Sequence, residues 1–188
     1  MSATISTHIT PDDRYAMPDG EQYELIDGQL VEKTVSREGA WVASQLITRI
    51  QIYLDTHPIG DVFSESAGYR CFSFDGNRVR KPDLSFILNG RMTAADWECG
   101  FPAVVPDLVV EVLSPQDLAY DVFRKLEDYF SVGVPLVWVL NPETRTATVY
   151  RQGGTEIRHY HEQDSLTDDL VLPGFSYPLA KLFRPKAP

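Results

Sequence analysis

The sequence is poor in cysteine and has no long hydrophobic run. Cys71 and Cys99 are the only cysteines, and neither belongs to a CxxC pair. A structural zinc site is therefore not expected, and a reducing cytoplasm is the default location. No apolar run is long enough to span a bilayer, and the N-terminal residues lack the charged and apolar regions of a signal peptide. These absences predict a cytoplasmic protein without a membrane partner.

Positively charged residues are also fewer than negatively charged ones. The 188 residues include 17 Lys and Arg against 27 Asp and Glu, which gives a formal net charge of −10. This balance argues against a large surface that coats DNA without specificity. The charge balance does not exclude a small basic groove, or a site where cations bridge acids to phosphate. The length and the 43% hydrophobic content predict one compact domain over residues 1–188, which includes a polar N-terminal arm over residues 1–20.

The order of elements predicts an α/β protein with an N-terminal β-hairpin. The hairpin is expected over residues 23–32, with a turn at Asp27-Gly28, and Ser36 is placed to cap a helix through Tyr53. Apolar strands at 108–113 and 136–140 flank a helix at 118–131, which makes a βαβ-like unit. Shorter strands are predicted at 61–66, 69–74, 80–88, 146–151 and 157–160. Together these elements predict a mixed central sheet flanked by helices.

One acid stands in the most apolar strand. Five of the six residues from Leu108 to Leu113 are apolar, and the sixth is Glu111. Apolar residues at both parities predict a strand buried on both faces. A carboxylate there is costly unless a metal, a cation or a proton compensates it. Glu111 is therefore a candidate metal ligand, and the plain alternative is a buried acid paired with an arginine.

A second acid, Asp83, begins another apolar strand. Alternation directs Asp83 away from the face that carries Leu84 and Phe86. If this strand lies beside the Glu111 strand, both carboxylates converge on one point. Two carboxylates and a backbone carbonyl form an oxygen-rich site for Mg²⁺. The alternative for Asp83 is an ordinary strand-entry residue after Pro82.

Lys125 is a third candidate, on the helix that follows Glu111. It lies within the apolar stripe of that helix, formed by Leu118, Val122, Leu126 and Tyr129. It should therefore lean toward the sheet, where it could orient a water nucleophile or stabilise the charge of a phosphorane. The alternative is a lysine that covers apolar surface with its stem.

Two further acids, Glu38 and Glu24, have weaker sequence signals for a functional role. Glu38, in the first turn of the first long helix, could hold a second metal or a metal-bound water, or it could stabilise the helix dipole. Glu24, in the hairpin, is expected to be solvated.

Several segments together resemble a known family. The segments 81–83, 107–115 and 133–142, with Lys125 and Tyr129, resemble the restriction endonuclease family often called Uma-two. That family belongs to the PD-(D/E)xK nuclease superfamily, and the resemblance extends over most of the chain. It implies a restriction-endonuclease-like core and phosphodiester hydrolysis in nucleic acid, with DNA as the expected substrate and Mg²⁺ or Mn²⁺ as the cofactor.

The resemblance also assigns roles to individual residues. Asp83 is the acid of the Pro-Asp element, Glu111 is the acid of the second element, and the carbonyl of Val112 completes the metal shell. The usual third element places a lysine two residues after the second acid, where this chain has Leu113. The family pattern places a lysine on the following helix instead, and that lysine is Lys125 here.

Nucleic-acid contacts and assembly are further expectations. Four basic residues around the Asp83 strand could form a local basic rim, or they could be a solvated hairpin end: Arg70, Arg78, Arg80 and Lys81. A homodimer is expected by analogy at fold level only. Two other functions stay open. One is a catalytically inactive nuclease fold that binds nucleic acid or protein, and the other is a hydrolase of small phosphate esters.

Overall fold

A mixed six-stranded sheet dominates the computed structural model, which describes residues 8–154 and 157–185. The strands within those residues are β1 (Tyr23–Ile26), β2 (Gln29–Glu32), β3 (Gly60–Ser64), β4 (Leu84–Leu88), β5 (Leu108–Val112), β6 (Leu136–Asn141), β7 (Thr146–Arg151), β8 (Arg158–Tyr160), β9 (Ser165–Asp168) and β10 (Phe175–Pro178). The α-helices there are α1 (Pro11–Ala16), α2 (Arg37–Leu54), α3 (Ala94–Glu98) and α4 (Ala119–Ser131), and short 3-10 turns occupy Gly20–Gln22 and Leu179–Lys181.

The central sheet has the strand order β3-β4-β5-β6-β7-β8. Only β5 and β6 run parallel, and the other neighbouring pairs are antiparallel. Helix α4 connects β5 to β6, so the predicted βαβ-like unit is confirmed. The strands β1 and β2 pair with each other, as do β9 and β10, in separate two-stranded sheets. The predicted α/β fold with an N-terminal hairpin is thus confirmed.

The two faces of the sheet pack against different helices. Helix α2 buries Val42, Leu46 and Ile50, spaced by four residues, against one face. Helix α4 packs Leu126 and Tyr129 against the other face. Because side chains alternate along a strand, Val110 and Val112 of β5 face α2, whereas Val109 and Glu111 face α4. The acid therefore lies on the side of the sheet that α4 covers.

Local signals place the ends of both long helices. Ser36 caps α2, because its Oγ accepts a hydrogen bond from the Gly39 N–H at 2.9 Å. Gly133 follows α4 with a φ of 93°, a left-handed conformation that glycine adopts without strain. Its N–H donates to the Phe130 carbonyl at 3.2 Å. Both boundaries agree with the prediction.

The predicted hairpin turn is present in the structure, whereas the strand predicted at 69–74 is not. Asp27 and Gly28 have φ values of 50° and 73°, as a two-residue hairpin turn requires, so the predicted hairpin is confirmed. The strand predicted at 69–74 is wrong. There Tyr69 forms one isolated bridge with Arg80, and the chain then leaves the extended conformation.

The N-terminal arm is more ordered than its polar composition indicates. Thr10 caps α1, and the Arg14 side chain is buried, with its Nε donating to the Tyr23 carbonyl at 2.7 Å. The part of the predicted arm before residue 8 lies outside the described residues. Among the residues that the structure describes, no helix combines the length and the apolar character needed to cross a bilayer.

Candidate active site

A pocket of about 370 Å³ opens on the α4 side of the sheet, below the β1–β2 hairpin. Its walls come from the hairpin, from the chain around β4 and β5, and from the first turns of α4. Four residues that the sequence singled out line it together: Asp83, Glu111, Val112 and Lys125. The fold thus brings the predicted catalytic and metal-binding residues to one place.

Strand pairing sets the two carboxylates side by side. Leu84 of β4 pairs with Val110 of β5, so Asp83, one residue before β4, lies close to Glu111 and Val112. The Oδ2 of Asp83 accepts a hydrogen bond from the Val112 N–H at 2.6 Å. Val112 thus lies beside Asp83, and it also lines the pocket.

Helix α4 delivers two hydrogen-bond donors to Glu111. Lys125 Nζ donates to Glu111 Oε2 at 2.8 Å, and Tyr129 Oη donates to Oε1 at 2.5 Å. The two donors lie four residues apart, so they share one face of the helix. The lysine that is absent at Leu113 is therefore replaced in space by Lys125. The apolar Leu113 packs beside the core on the α4 side.

Lys33 is a second lysine at the site, and the sequence did not indicate it. Its Nζ lies 2.8 Å from Asp83 Oδ1 and also donates to the Lys81 carbonyl. Its backbone N–H donates to the Gln22 carbonyl at 2.8 Å, which extends the hairpin pairing by one step. The contact depends on how the hairpin folds over the sheet. The only signal in the sequence was that a buried Asp83 would need a cation.

Beside the pocket lies a second group of buried charges, here called the arginine cluster: Glu24, Arg78, Arg80 and Asp128. Glu24 is buried, so its expected solvation is wrong. Arg80 donates from Nη1 to Glu24 Oε2 at 2.8 Å and from Nε to Asp128 Oδ2 at 2.8 Å. Arg78 pairs with the other oxygen of Asp128. These contacts tie the hairpin to α4.

The four residues expected at a basic rim are not gathered on the surface. Arg78, Arg80 and Lys81 are buried, and acids or backbone carbonyls satisfy them. The reason is that acids compensate the charges of Arg78 and Arg80 inside the fold, and the Glu21 carbonyl accepts a hydrogen bond from Lys81. Only Arg70 is exposed, with a long 3.8 Å contact to the solvated Asp12. A nucleic-acid contact through this segment is therefore open to Arg70 alone.

The two buried glutamates respond differently to their surroundings. Burial raises the pKa of Glu24, but the charges of Lys125, Arg80 and Lys33 outweigh it and lower that pKa to about 2. For Glu111, burial raises the pKa, and the charge of Asp83 raises it further, against the opposing effect of Lys125. The Glu111 carboxylate thus has an incompletely compensated negative charge.

The pocket has an excess of acids. Seven acidic and four basic residues line it, so its formal charge is −3. An excess of this sign attracts divalent cations and disfavours a bare phosphate. The acids are Glu24, Asp27, Glu32, Asp83, Glu111, Asp117 and Asp121, and the bases are Lys33, Arg80, Arg124 and Lys125.

The donor set fits Mg²⁺ or Mn²⁺ through few protein ligands. The described residues contain no group of three or more His, Cys, Asp and Glu side chains arranged to hold a metal. Mg²⁺ commonly keeps several waters and binds through one or two carboxylates. Asp83, Glu111 and the Val112 carbonyl supply that minimal set. Glu38 is exposed and does not line the pocket, and its charge acts on Arg145, so its metal role stays a hypothesis.

A mixed sheet with paired carboxylates and a helix-borne lysine defines a restriction-endonuclease-like α/β protein. The sequence pattern of the Uma2 family, described as "Putative restriction endonuclease", matches residues 11–180. The chain therefore belongs to the Uma2 family, and the resemblance noted above is confirmed. The family description supports nuclease function in general terms.

A solved structure has the same fold. The crystal structure of a protein described as a putative nuclease belonging to DUF820, from Anabaena variabilis ATCC 29413, superposes with a TM-score of 0.77. The match covers 93% of this chain and 97% of that chain at 22% sequence identity, which shows the fold alone. No curated protein matches the chain.

Proposed function

We propose that this protein is an endonuclease that hydrolyses phosphodiester bonds in DNA and depends on Mg²⁺ or Mn²⁺. Asp83, Glu111 and the Val112 carbonyl would hold the metal, and Lys125 would act beside them. One observation carries the proposal: Asp83 Oδ2 accepts the Val112 N–H at 2.6 Å, next to Glu111 on β5, and Lys125 Nζ lies 2.8 Å from Glu111.

The bound cation would activate a water molecule and neutralise charge on the scissile phosphate. The residues of the chain do the positioning. Tyr129 and Lys125 each donate to one oxygen of Glu111, so the carboxylate is fixed before the substrate arrives. The Lys125 side chain is 20% exposed, so its ammonium can also reach a group in the pocket. There it can orient the nucleophile or stabilise the developing negative charge.

A hydrolase of small phosphate esters is a second candidate. The pocket volume of about 370 Å³ falls in the range typical of small-molecule sites. The absence of a gathered basic rim around Arg78 and Arg80 also fits a small substrate. Hydrolysis of bis(p-nitrophenyl) phosphate without cleavage of any polynucleotide would favour this candidate over an endonuclease.

The first experiment is cleavage of plasmid, duplex and single-stranded DNA with Mg²⁺, with Mn²⁺ and with EDTA. The wild-type protein should cut only with metal, and Glu111→Gln should lower the rate by about 100-fold or more. Glu143→Gln is the matched control, because Glu143 is exposed in the turn after β6. Undiminished cleavage by Glu111→Gln would contradict the proposal.

Calorimetry with Mn²⁺ separates an active nuclease from an inactive binding module. An active site should bind Mn²⁺, and Glu111→Gln should weaken that binding, whereas an inactive module need not bind metal at these acids. A homodimer is also proposed, by fold analogy only. Light scattering after gel filtration tests it, and a monomeric mass at the assay concentration would contradict it.

A further inference from the structure

Lys33 occupies the carboxylate that the proposed metal needs. Its Nζ lies 2.8 Å from Asp83 Oδ1, and the two side chains are only 9% and 7% exposed. The other oxygen, Oδ2, accepts the Val112 N–H at 2.6 Å. Both oxygens of Asp83 are therefore engaged, and a metal at this carboxylate would meet the Lys33 ammonium there.

A lysine and a divalent cation compete for such a carboxylate. Both are compact cations that bind carboxylate oxygens. Within a buried site they also repel each other strongly, since little water screens the two charges. A metal at Asp83 thus gains its full attraction only when the Lys33 ammonium moves away.

The structure gives Lys33 a way to move without unfolding the hairpin. Its backbone is held by the hydrogen bond from its N–H to the Gln22 carbonyl at 2.8 Å. Its side chain lines the pocket of about 370 Å³, so rotation about its side-chain bonds can carry the ammonium into that space. Release of Asp83 breaks the contact of this ammonium with the Lys81 carbonyl and leaves the hydrogen bond of the Lys33 N–H to Gln22 in place.

Resting on the metal-dependent function proposed above, we infer that Lys33 is an internal competitor of the metal for Asp83. In the metal-free protein it stabilises the buried carboxylate as a counter-ion. When the metal binds, the Lys33 ammonium leaves Asp83 and stays at the pocket wall. Lys33 therefore lowers the affinity of the site for a divalent cation.

The test is calorimetric titration of the full chain with Mn²⁺ in the absence of nucleic acid. Lys33→Met should bind Mn²⁺ about tenfold more tightly than the wild type, or better, because the competing charge is gone. Lys33→Gln keeps a hydrogen-bond donor without the charge and should also bind more tightly. It preserves the test if Lys33→Met fails to fold, which circular dichroism checks. Lys181→Met, at an exposed lysine, is the control and should leave the affinity unchanged.

A double variant locates the effect. Adding Asp83→Asn to Lys33→Gln should abolish the gain in affinity, because the carboxylate for which the two cations compete is gone. Mn²⁺ binding that is equal or weaker in both Lys33 variants would overturn the inference and leave the metal site standing. If neither the wild type nor the variants bind Mn²⁺, both the inference and the proposed metal-dependent function are overturned.

Discussion

The arginine cluster and the acid–lysine pairs of the pocket are two sets of buried charge on the same side of the sheet, and they are built differently, although Glu24 and Arg80 also line the pocket. In the arginine cluster, Arg80 reaches both Glu24 and Asp128 through three separate hydrogen bonds. In the pocket, Asp83 and Glu111 each pair with a single lysine ammonium, from Lys33 and Lys125. A planar guanidinium fixes two acids at once, whereas an ammonium makes a point contact that a different cation can replace.

The pKa values of the two glutamates also differ, although Lys125 and Lys33 of the pocket act on Glu24 together with Arg80. The pKa of Glu24 is lowered to about 2, because nearby cations outweigh the cost of its burial. The pKa of Glu111 is raised by its burial and by Asp83, so this carboxylate retains a need for positive charge. One group of charges is therefore suited to hold the hairpin on α4, and the other is suited to bind a cation.

The largest expected effect on stability is at the centre of the arginine cluster. Arg80→Met would leave Glu24 and Asp128 buried without their shared partner and should lower the free energy of unfolding by about 3–5 kcal/mol. Urea denaturation measures this. The control is Arg70→Met, at an arginine that is 45% exposed, and it should change stability by about 0.5 kcal/mol or less. Equal effects of the two variants would contradict the structural role of the cluster.

An intermediate effect is expected in the pH dependence of stability. The folded-state pKa of Glu24 is about 2, below its usual 4.5, so its contribution is present above pH 4.5 and lost as the pH falls toward 2. This loss should be on the order of 3 kcal/mol. Glu24→Gln should therefore differ from the wild type most near neutral pH and least in acid.

The raised pKa of Glu111 predicts a pH dependence of stability with the opposite sign to that of Glu24. Its contribution is present below the unfolded pKa of 4.5 and is lost as the pH rises through the higher folded value. Glu111→Gln should therefore gain stability relative to the wild type as the pH rises. Unfolding at a series of pH values compares the two variants, and parallel curves would contradict the contrast between the two groups.

The smallest effect on stability is expected at Lys125. Lys125→Met should cost about 1 kcal/mol, since Glu111 can take up a proton and keep its hydrogen-bonding partner Tyr129. The same change should greatly reduce cleavage. Urea denaturation and a cleavage assay on one preparation give both values. A stability loss as large as that of Arg80→Met would show that Lys125 is a structural residue like the arginines.

Most of the fold could be predicted because its signals are local. The apolar run around Glu111, the capping residue Ser36 and the Asp27-Gly28 turn act within a few residues, and the structure agrees with all three. The strand expected at 69–74 failed for the opposite reason. Its alternating residues are occupied by contacts with distant segments, such as the Tyr69 hydroxyl with Ser85 Oγ at 2.6 Å. The sequence does not show those contacts.

The residues of the candidate site also fall into two groups, those that local patterns predicted and those that depend on long-range packing. Alternation along a strand and periodicity along a helix were sufficient to select Asp83, Glu111 and Lys125, because each pattern fixes the direction of a side chain. Lys33 and Glu24 could not be selected, since both belong to a hairpin whose position over the sheet depends on long-range packing. The arginines near Asp83 were assigned to the surface, and the structure buries Arg78 and Arg80 for the same reason.

The sequence by itself determined the order of elements, the face of each strand and the two acids that need compensation. These follow from local sterics and from the cost of burying charge. The tertiary structure decided which cation meets which acid. The pairing of β4 with β5 set Asp83 beside Glu111 and Val112, and the folded hairpin brought Lys33 to Asp83 and Glu24 to Arg80. Pairing between distant charges depends on the packing of whole elements, so only the assembled fold decides which cation each acid meets.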